Sequence, residues 1–586
     1  MAVETKGYTG TGIVARTESF TGADAVWQSL VDHGVSTIFG YPGGANLPLY
    51  HKLRHFPIRH VLSRHKGGAG FMASGYGRAK GELGVMMATS GPGGLNLMTS
   101  LRNILDDSTA GLAITGQVAK NLIGTQAFQE ANMVGTAESN TKWAYQIESP
   151  DEIAEKIDEA IYRATSGRPG PVLIDIPKNF QLQETEYKNP NVKRPDQRKL
   201  SSEALAQLQQ IPDLIKAAKK PCIFAGHGVL LSGAQQELLA FADKTGIPVA
   251  YTLHAPSAFP TGHRLNVGLL GMHGNLGPNR LTEEFDLAIV FGARLDDRVT
   301  GKVAEYLPNA KIVQVDIALD QLGKHKYAEV AINADAKSAL SALVELVEQG
   351  QREEWVNRFR SLNEEEYRDV TANALSSDGK QIKMAQVVDS ISKKTEGEAV
   401  VFADVGMHQM FAARHFPPGK FGKFFTSGGL GAMGYALPAA IGAKIATQEM
   451  NQAIDVVAVI GDGGAQMTIQ ELAVPVVERL GVGFVILNNH SLGMVEQWQD
   501  LFHDRNRSQS SGLWTPNFAG IATYGYGIRS QRIENFNDLS GALDEMFSVN
   551  RAGLPYLLEV IVPEEKVYPM IPPGKPAHMI VKGDWN

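Results

Sequence analysis

Short apolar runs recur along the chain, each followed by a glycine-containing turn and then by a stretch with apolar residues at helical spacing. From about Thr21 the helix-like ADAVWQSLVDHG leads to the strand-like TIFGYPGG, and the alternation continues to VLIDIPKNF. Residues 186–202 are polar and proline-containing and read as a linker. A second block carries the strand-like runs PCIFAGHG, IPVAYTL, LAIVFGAR and AKIVQVDI. The connection from about 345 to 380 is helix-like and charged, and its charges read as a solvated face. A third block opens with AVVFADVG and closes with LPYLLEVIV and an irregular tail. The pattern predicts an α/β protein of three doubly wound parallel-sheet domains. Expected boundaries are a tail at 1–20, domains at 21–185, 203–350 and 381–565, a linker helix at 351–380, and a tail at 566–586.

The chemistry concentrates in the third block. The apolar run Val456–Ile460 stops at Gly461-Asp462-Gly463, where glycine lets the backbone turn tightly. A helix-like segment and a second strand, Val482–Leu487, then deliver Asn488 and Asn489. Such a unit sets the acidic turn beside the asparagine pair, at the carboxyl ends of neighbouring parallel strands. One carboxylate, one carboxamide and nearby carbonyls suit a hard divalent cation that keeps positions open for diphosphate oxygens. Gly-Asp-Gly alone is a common turn; with 24 residues between it and Asn-Asn, and strands at both ends, it is far more specific. The whole resembles the thiamine-diphosphate (ThDP) motif, in which Asp462, Asn489 and the Ser491 carbonyl hold magnesium.

Other glycine-rich turns fit the same picture. Gly40–Gly44, with Tyr41, Pro42 and Gly43, resembles a loop that brings backbone close to a ring or phosphate, and the turn at Pro92 offers amides to an anion or cofactor. In the second block Asp316 follows a strand, as in a nucleotide-binding sheet, although no clean GxGxxG is present.

Composition narrows the class. At 586 residues, 43% hydrophobic, 20% charged and with 61 glycines, the chain reads as a multidomain α/β enzyme. A net charge of -7 gives no electrostatic case for nucleic acid or an anionic membrane. The single cysteine, Cys222, lies in an apolar run and reads as a buried small hydrophobe. No run of 18 apolar residues is present, and the first residues lack an apolar signal core, so a reduced, cytoplasmic setting is the expectation.

Taken in order, GYPGG, SRHKGGAGFMASGYGRA, TSGPGGLNL, ITGQV, IGTQAFQEA, SGRPGPVLIDIPK, LGMHG, GARLDDRVTGK, TSGGLGAMG, the GDG-to-NN motif, GMVEQWQ and VYPMIPPG resemble the large catalytic subunit of acetohydroxyacid (acetolactate) synthase, from roughly Thr21 to Ile580. The resemblance implies ThDP, Mg2+ and a structural FAD. It implies a homodimer or homotetramer with sites at the interface, and a small regulatory subunit is a habit of the family. The implied reaction decarboxylates pyruvate and joins the remaining two-carbon unit to a second 2-ketoacid. Carried over residue by residue, Gly431 and Met433 prop the cofactor into a bent form, His408 and Gln409 flank the diphosphate, and Gly461, Gly463 and Met494 lie beside it. Arg298 receives the acceptor carboxylate and Trp498 narrows the acceptor pocket, while Phe128, Gln129, Lys178 and Met272 line the pocket or its channel. The flavin positions are Arg168, Gly226, Gly228, Thr252, Leu253, Met272, Gly292, Arg294 and Asp316, with His227 where a glycine is often found.

One departure bears on the chemistry. Lys66 stands where the family pattern places the glutamate that hydrogen-bonds N1' of the aminopyrimidine. An ammonium only donates, and its charge opposes protonation there. Gly67, Phe71, Ser74 and Met407 depart as well. Four readings follow: a synthase that works without the usual carboxylate, a site in which Glu130 takes its place, another ThDP carboligase such as one joining glyoxylate, or a ThDP-binding scaffold or regulator.

Overall fold

A computed structural model describes residues 19–190, 199–419 and 423–584. The N-terminal tail up to residue 18 and most of the expected linker, 191–198, lie outside the described residues. The chain forms three six-stranded parallel sheets with helices on their faces, so the expected α/β class holds.

The first sheet has β1 (Thr37–Gly40), β2 (Arg59–Leu62), β3 (Gly84–Ala88), β4 (Gly111–Gln117), β5 (Trp143–Gln146) and β6 (Pro171–Pro177), in the order β2-β1-β3-β4-β6-β5. The second runs β12-β11-β10-β7-β8-β9, built from β7 (Pro221–Ala225), β8 (Val249–Tyr251), β9 (Asn266–Leu269), β10 (Leu287–Phe291), β11 (Lys311–Asp316) and β12 (Val330–Asn333). The third runs β14-β13-β15-β16-β18-β17, from β13 (Val400–Ala403), β14 (Lys423–Thr426), β15 (Val456–Gly461), β16 (Val482–Asn488), β17 (Arg529–Ile533) and β18 (Tyr556–Ile561). The central strands are apolar and buried throughout, the signature of a parallel sheet covered on both faces.

The first and third units pack through the helices Lys66–Lys80 and Ala436–Glu449. Small residues make the close approach possible. A Cβ on Gly75 would lie 1.9 Å from the Ala439 carbonyl oxygen, and one on Gly442 would lie 1.9 Å from that of Met72. Their shared core runs from Phe39 and Met72 through Ile441 to Phe484.

The charged connection differs from expectation. The helix Glu353–Glu366 buries Trp355, Val356 and Phe359 against the second sheet, so only part of it is a solvated face. Glu366 is itself buried, ion-paired with Arg414 of the third unit, and it accepts hydrogen bonds from Asn275 Nδ2 at 2.9 Å and from the Leu276 amide. Cys222 is buried in β7.

Candidate active site

A cavity of about 1010 Å³ runs from the carboxyl ends of the second sheet to those of the third. At one end β15 and β16 pair in parallel, with Gly461 opposite Leu487, so the two strands end together and the residues beyond them, Asp462 and Asn489, both line the cavity. Asp462 Oδ1 accepts the Gly463 amide at 2.9 Å, while Oδ2 is buried without a hydrogen-bond partner. Burial pushes the Asp462 carboxyl up to about 6. An unpartnered carboxylate oxygen on Asp462, together with Asn489 and Ser491 on the same cavity lining, fits a divalent cation. Among the described residues no group of three or more His, Cys, Asp or Glu is arranged to hold a metal ion, so the donors here are one carboxylate plus neutral oxygens. That set suits a magnesium ion completed by diphosphate.

Facing this turn, His408 accepts the Gly461 amide through Nε2 at 3.1 Å. Burial drives the imidazole down to about 3, so it is neutral, with its proton on Nδ1. Gln409 Nε2 donates to Thr426 Oγ1 at 2.7 Å, anchoring the turn that carries Gly431 and Met433. Gly431 and Gly434 sit at φ of 73° and 83°, in the left-handed region that favours glycine. Asp404, which sequence reasoning missed, is fully buried and accepts the Gly434 and Tyr435 amides at 3.0 Å each. A Cβ on Gly464 would lie 1.9 Å from Asp404 Oδ2, so one carboxylate braces both the metal-type turn and the Gly431–Met433 turn.

The wall continues through Gly463, Met494 and Trp498 to Arg298, whose side chain is 61% exposed and whose guanidinium lies 3.2 Å from the Met272 sulfur. Beyond lie Gly228, Thr252, Leu253, Gly292, Arg294 and Asp316 of the second unit, which form a groove closed on one side by Arg168 of the first unit. Its floor is tight: a Cβ on Gly226 would lie 2.2 Å from the Gly292 carbonyl oxygen. Burial raises the Asp316 carboxyl, a pull opposed by the Ala318 amide and by Arg168. Closely packed glycines and a carboxylate at a strand end fit a nucleotide. His227 also lines this groove and stacks on His254, with ring centroids 5.3 Å apart.

The remaining expected residues gather elsewhere. Tyr41, Pro42, Gly43, Lys66, Pro92, Phe128, Gln129 and Lys178 do not line the cavity of their own chain. They belong to the carboxyl-end loops of the first sheet, where a Cβ on Gly43 would meet Thr89 at 2.5 Å and one on Gly91 would meet Gln129 at 2.7 Å. The Lys66 ammonium sits 4.2 Å above the Tyr41 ring. Phe128 is 88% exposed. Glu130 is engaged by its own loop, accepting the amides of Gly124 and Ala127. A carboxylate that sequence reasoning missed, Glu471, reaches the segment just before Lys66. It is buried, accepts the Arg64 and His65 amides at 2.8 and 2.7 Å, and is raised to about 7 by burial.

Three family models match the chain in order: "Thiamine pyrophosphate enzyme, N-terminal TPP binding domain" over residues 20–136, the central domain over 208–343, and the C-terminal TPP binding domain over 404–560. Fold and site therefore define a ThDP-type enzyme. The chain is 39% identical over 575 residues to the acetolactate synthase large subunit of Corynebacterium glutamicum, covering 96% of this chain and 90% of that one. It is 39% identical over 563 residues to the corresponding subunit of Lactococcus lactis, covering 94% and 95%. To acetolactate synthase 1, chloroplastic, of Nicotiana tabacum it is 40% identical over 570 residues, covering 94% and 83%. The chain belongs to the acetolactate synthase large-subunit family.

Proposed function

We propose that this protein is an acetolactate-forming carboligase that joins a two-carbon unit from pyruvate to a second 2-ketoacid, giving 2-acetolactate or 2-aceto-2-hydroxybutyrate on the way to branched-chain amino acids. The observation that carries the reading is a single cavity wall holding the Asp462–Asn489 pair, Arg298 and Trp498 together. Bound ThDP supplies the electron sink for decarboxylation. Asp462 and Asn489 would hold Mg2+, neutral His408 and the Gly431–Met433 turn would orient ThDP, and Arg298 would receive the acceptor carboxylate as a planar two-pronged donor. Trp498 limits the size of the acceptor. The groove from Arg168 to Asp316 holds FAD in a structural role, with His227 narrowing it.

Because the first-sheet loops do not line the cavity of their own chain, a complete site takes them from a second copy, supporting a homodimer or homotetramer with interface sites. We assign it to the cytoplasm, with a small regulatory subunit as a possible partner.

Lys66 supports a second reading, a ThDP-binding protein silenced at one step. Its ammonium, held over Tyr41, donates but does not accept, and it repels a proton on a nearby ring nitrogen. The deciding experiment assays acetolactate from pyruvate with ThDP, Mg2+ and FAD, for the wild type and Lys66→Glu. Robust wild-type turnover establishes a synthase that works without the usual carboxylate. Product from Lys66→Glu alone establishes the silenced site. No product from either rejects the substrate assignment.

A further inference from the structure

We infer that His254, acting through Asp107, is a positioning residue for the Ser427–Gly434 turn, and that it couples occupancy of the nucleotide groove to binding at the diphosphate end of the site. The inference rests on the reading above that the site takes ThDP.

The observation behind it is a polar junction where all three units meet. Asp107, fully buried at the end of a first-unit helix, accepts the Gly429 amide at 2.8 Å and His254 Nε2 at 3.0 Å through Oδ1. Its other oxygen accepts Arg78 at 3.2 Å. Arg78 also donates to the Thr426 carbonyl at 2.8 Å and to His254 Nδ1 at 3.1 Å. An arginine only donates, so His254 Nδ1 is an acceptor, and the proton on Nε2 points at Asp107. The donors and acceptors agree on one tautomer and one ring orientation. Gly428 packs directly on that ring, since a Cβ there would lie 2.3 Å from Nε2.

The turn therefore rests on His254 on one side and hangs from Asp107 on the other. Its far end carries Gly431 and Met433 at the cavity wall. His254 is also stacked by His227, at an interplanar angle of 30°, and both rings border the groove beside Gly228 and Arg294. A ligand lying in the groove meets the His227 ring, and any shift of the stack reaches Gly429 through one imidazole and one carboxylate. Contiguous contacts of this kind carry coupling between sites when each ligand favours the same arrangement of the junction.

The test is calorimetric titration of ThDP, at saturating Mg2+, into the full-length apoprotein with and without saturating FAD. For the wild type, FAD is expected to tighten ThDP binding at least about five-fold, the lower end of ordinary coupling. His254→Leu should still bind each ligand alone, with that ratio falling to about one. His254→Gln, which retains a donor toward Asp107, should recover part of it. His227→Gly removes the stack and leaves Asp107 untouched, so it reads the same coupling should the leucine variant not fold, and its ratio should fall as well. A wild-type ratio of one overturns the inference, as does a His254→Leu or His227→Gly protein that keeps the wild-type ratio. Absence of any ThDP binding by the wild type is a distinct result: it removes the cofactor reading, and the inference with it.

Discussion

Asp462→Asn should stabilise the protein while removing the carboxylate proposed to hold Mg2+. The folded state holds the Asp462 carboxyl at about 6, above the ordinary value of 3.8, because burial disfavours its charge. A raised carboxyl binds more protons folded than unfolded between these values, so stability falls as pH rises from about 4 to 6 and stays lower above that. The gap of about two units corresponds to roughly 3 kcal/mol at neutral pH. Asparagine removes the charge but points an amide group into the space of the orphaned oxygen, which costs about 1 kcal/mol or more. The net expectation is a gain of about 1–2 kcal/mol at pH 7–8 in the absence of metal. The assay is thermal unfolding of the apoprotein at pH 4.5 and 7.5. The variant should unfold later than wild type only at the higher pH, and added Mg2+ with ThDP should raise the wild type alone. A variant no more stable than wild type at pH 7.5, or equally stabilised at both pH values, would refute the argument that Asp462 is a strained, ion-ready carboxylate.

Removing Glu366 leaves Arg414 buried without a counter-ion, and Glu366→Ala should lose about 3–5 kcal/mol in chemical denaturation. The double variant Glu366→Leu/Arg414→Met should lose less than the single one. Gly75→Ala drives a methyl group into the Ala439 carbonyl, and should cost roughly 3 kcal/mol and loosen the first unit from the third, read as earlier unfolding and faster proteolysis. Arg298→Lys keeps the charge but loses the two-pronged geometry; KM for the acceptor ketoacid should rise about ten-fold or more with a smaller change in kcat. An unchanged KM would remove Arg298 from the acceptor site.

The strands visible in the sequence are those buried on both faces. β10, β15 and β16 read as continuous apolar runs because water touches neither side of them. The edge strands β2, β5, β9, β12 and β17 are short and half-buried, and their mixed composition gives no period to detect. The charged helix Glu353–Glu366 misled for a related reason: its apolar side is only a few residues wide, and the partner of Glu366 lies in another unit.

The amino-acid sequence by itself determined the βαβ unit that places Asp462 beside Asn489, because both residues sit at fixed distances from their own strands. It also revealed the lysine in place of a carboxylate at position 66. Tertiary structure alone decided that Arg298 and Trp498 share a cavity with that pair, while Lys66 and Phe128 do not line it. The same holds for Asp404, Glu471 and the His254–Asp107 junction. Their partners stand 30 to 407 residues away in the chain, and a hydrogen bond depends on separation in space, which no local pattern encodes.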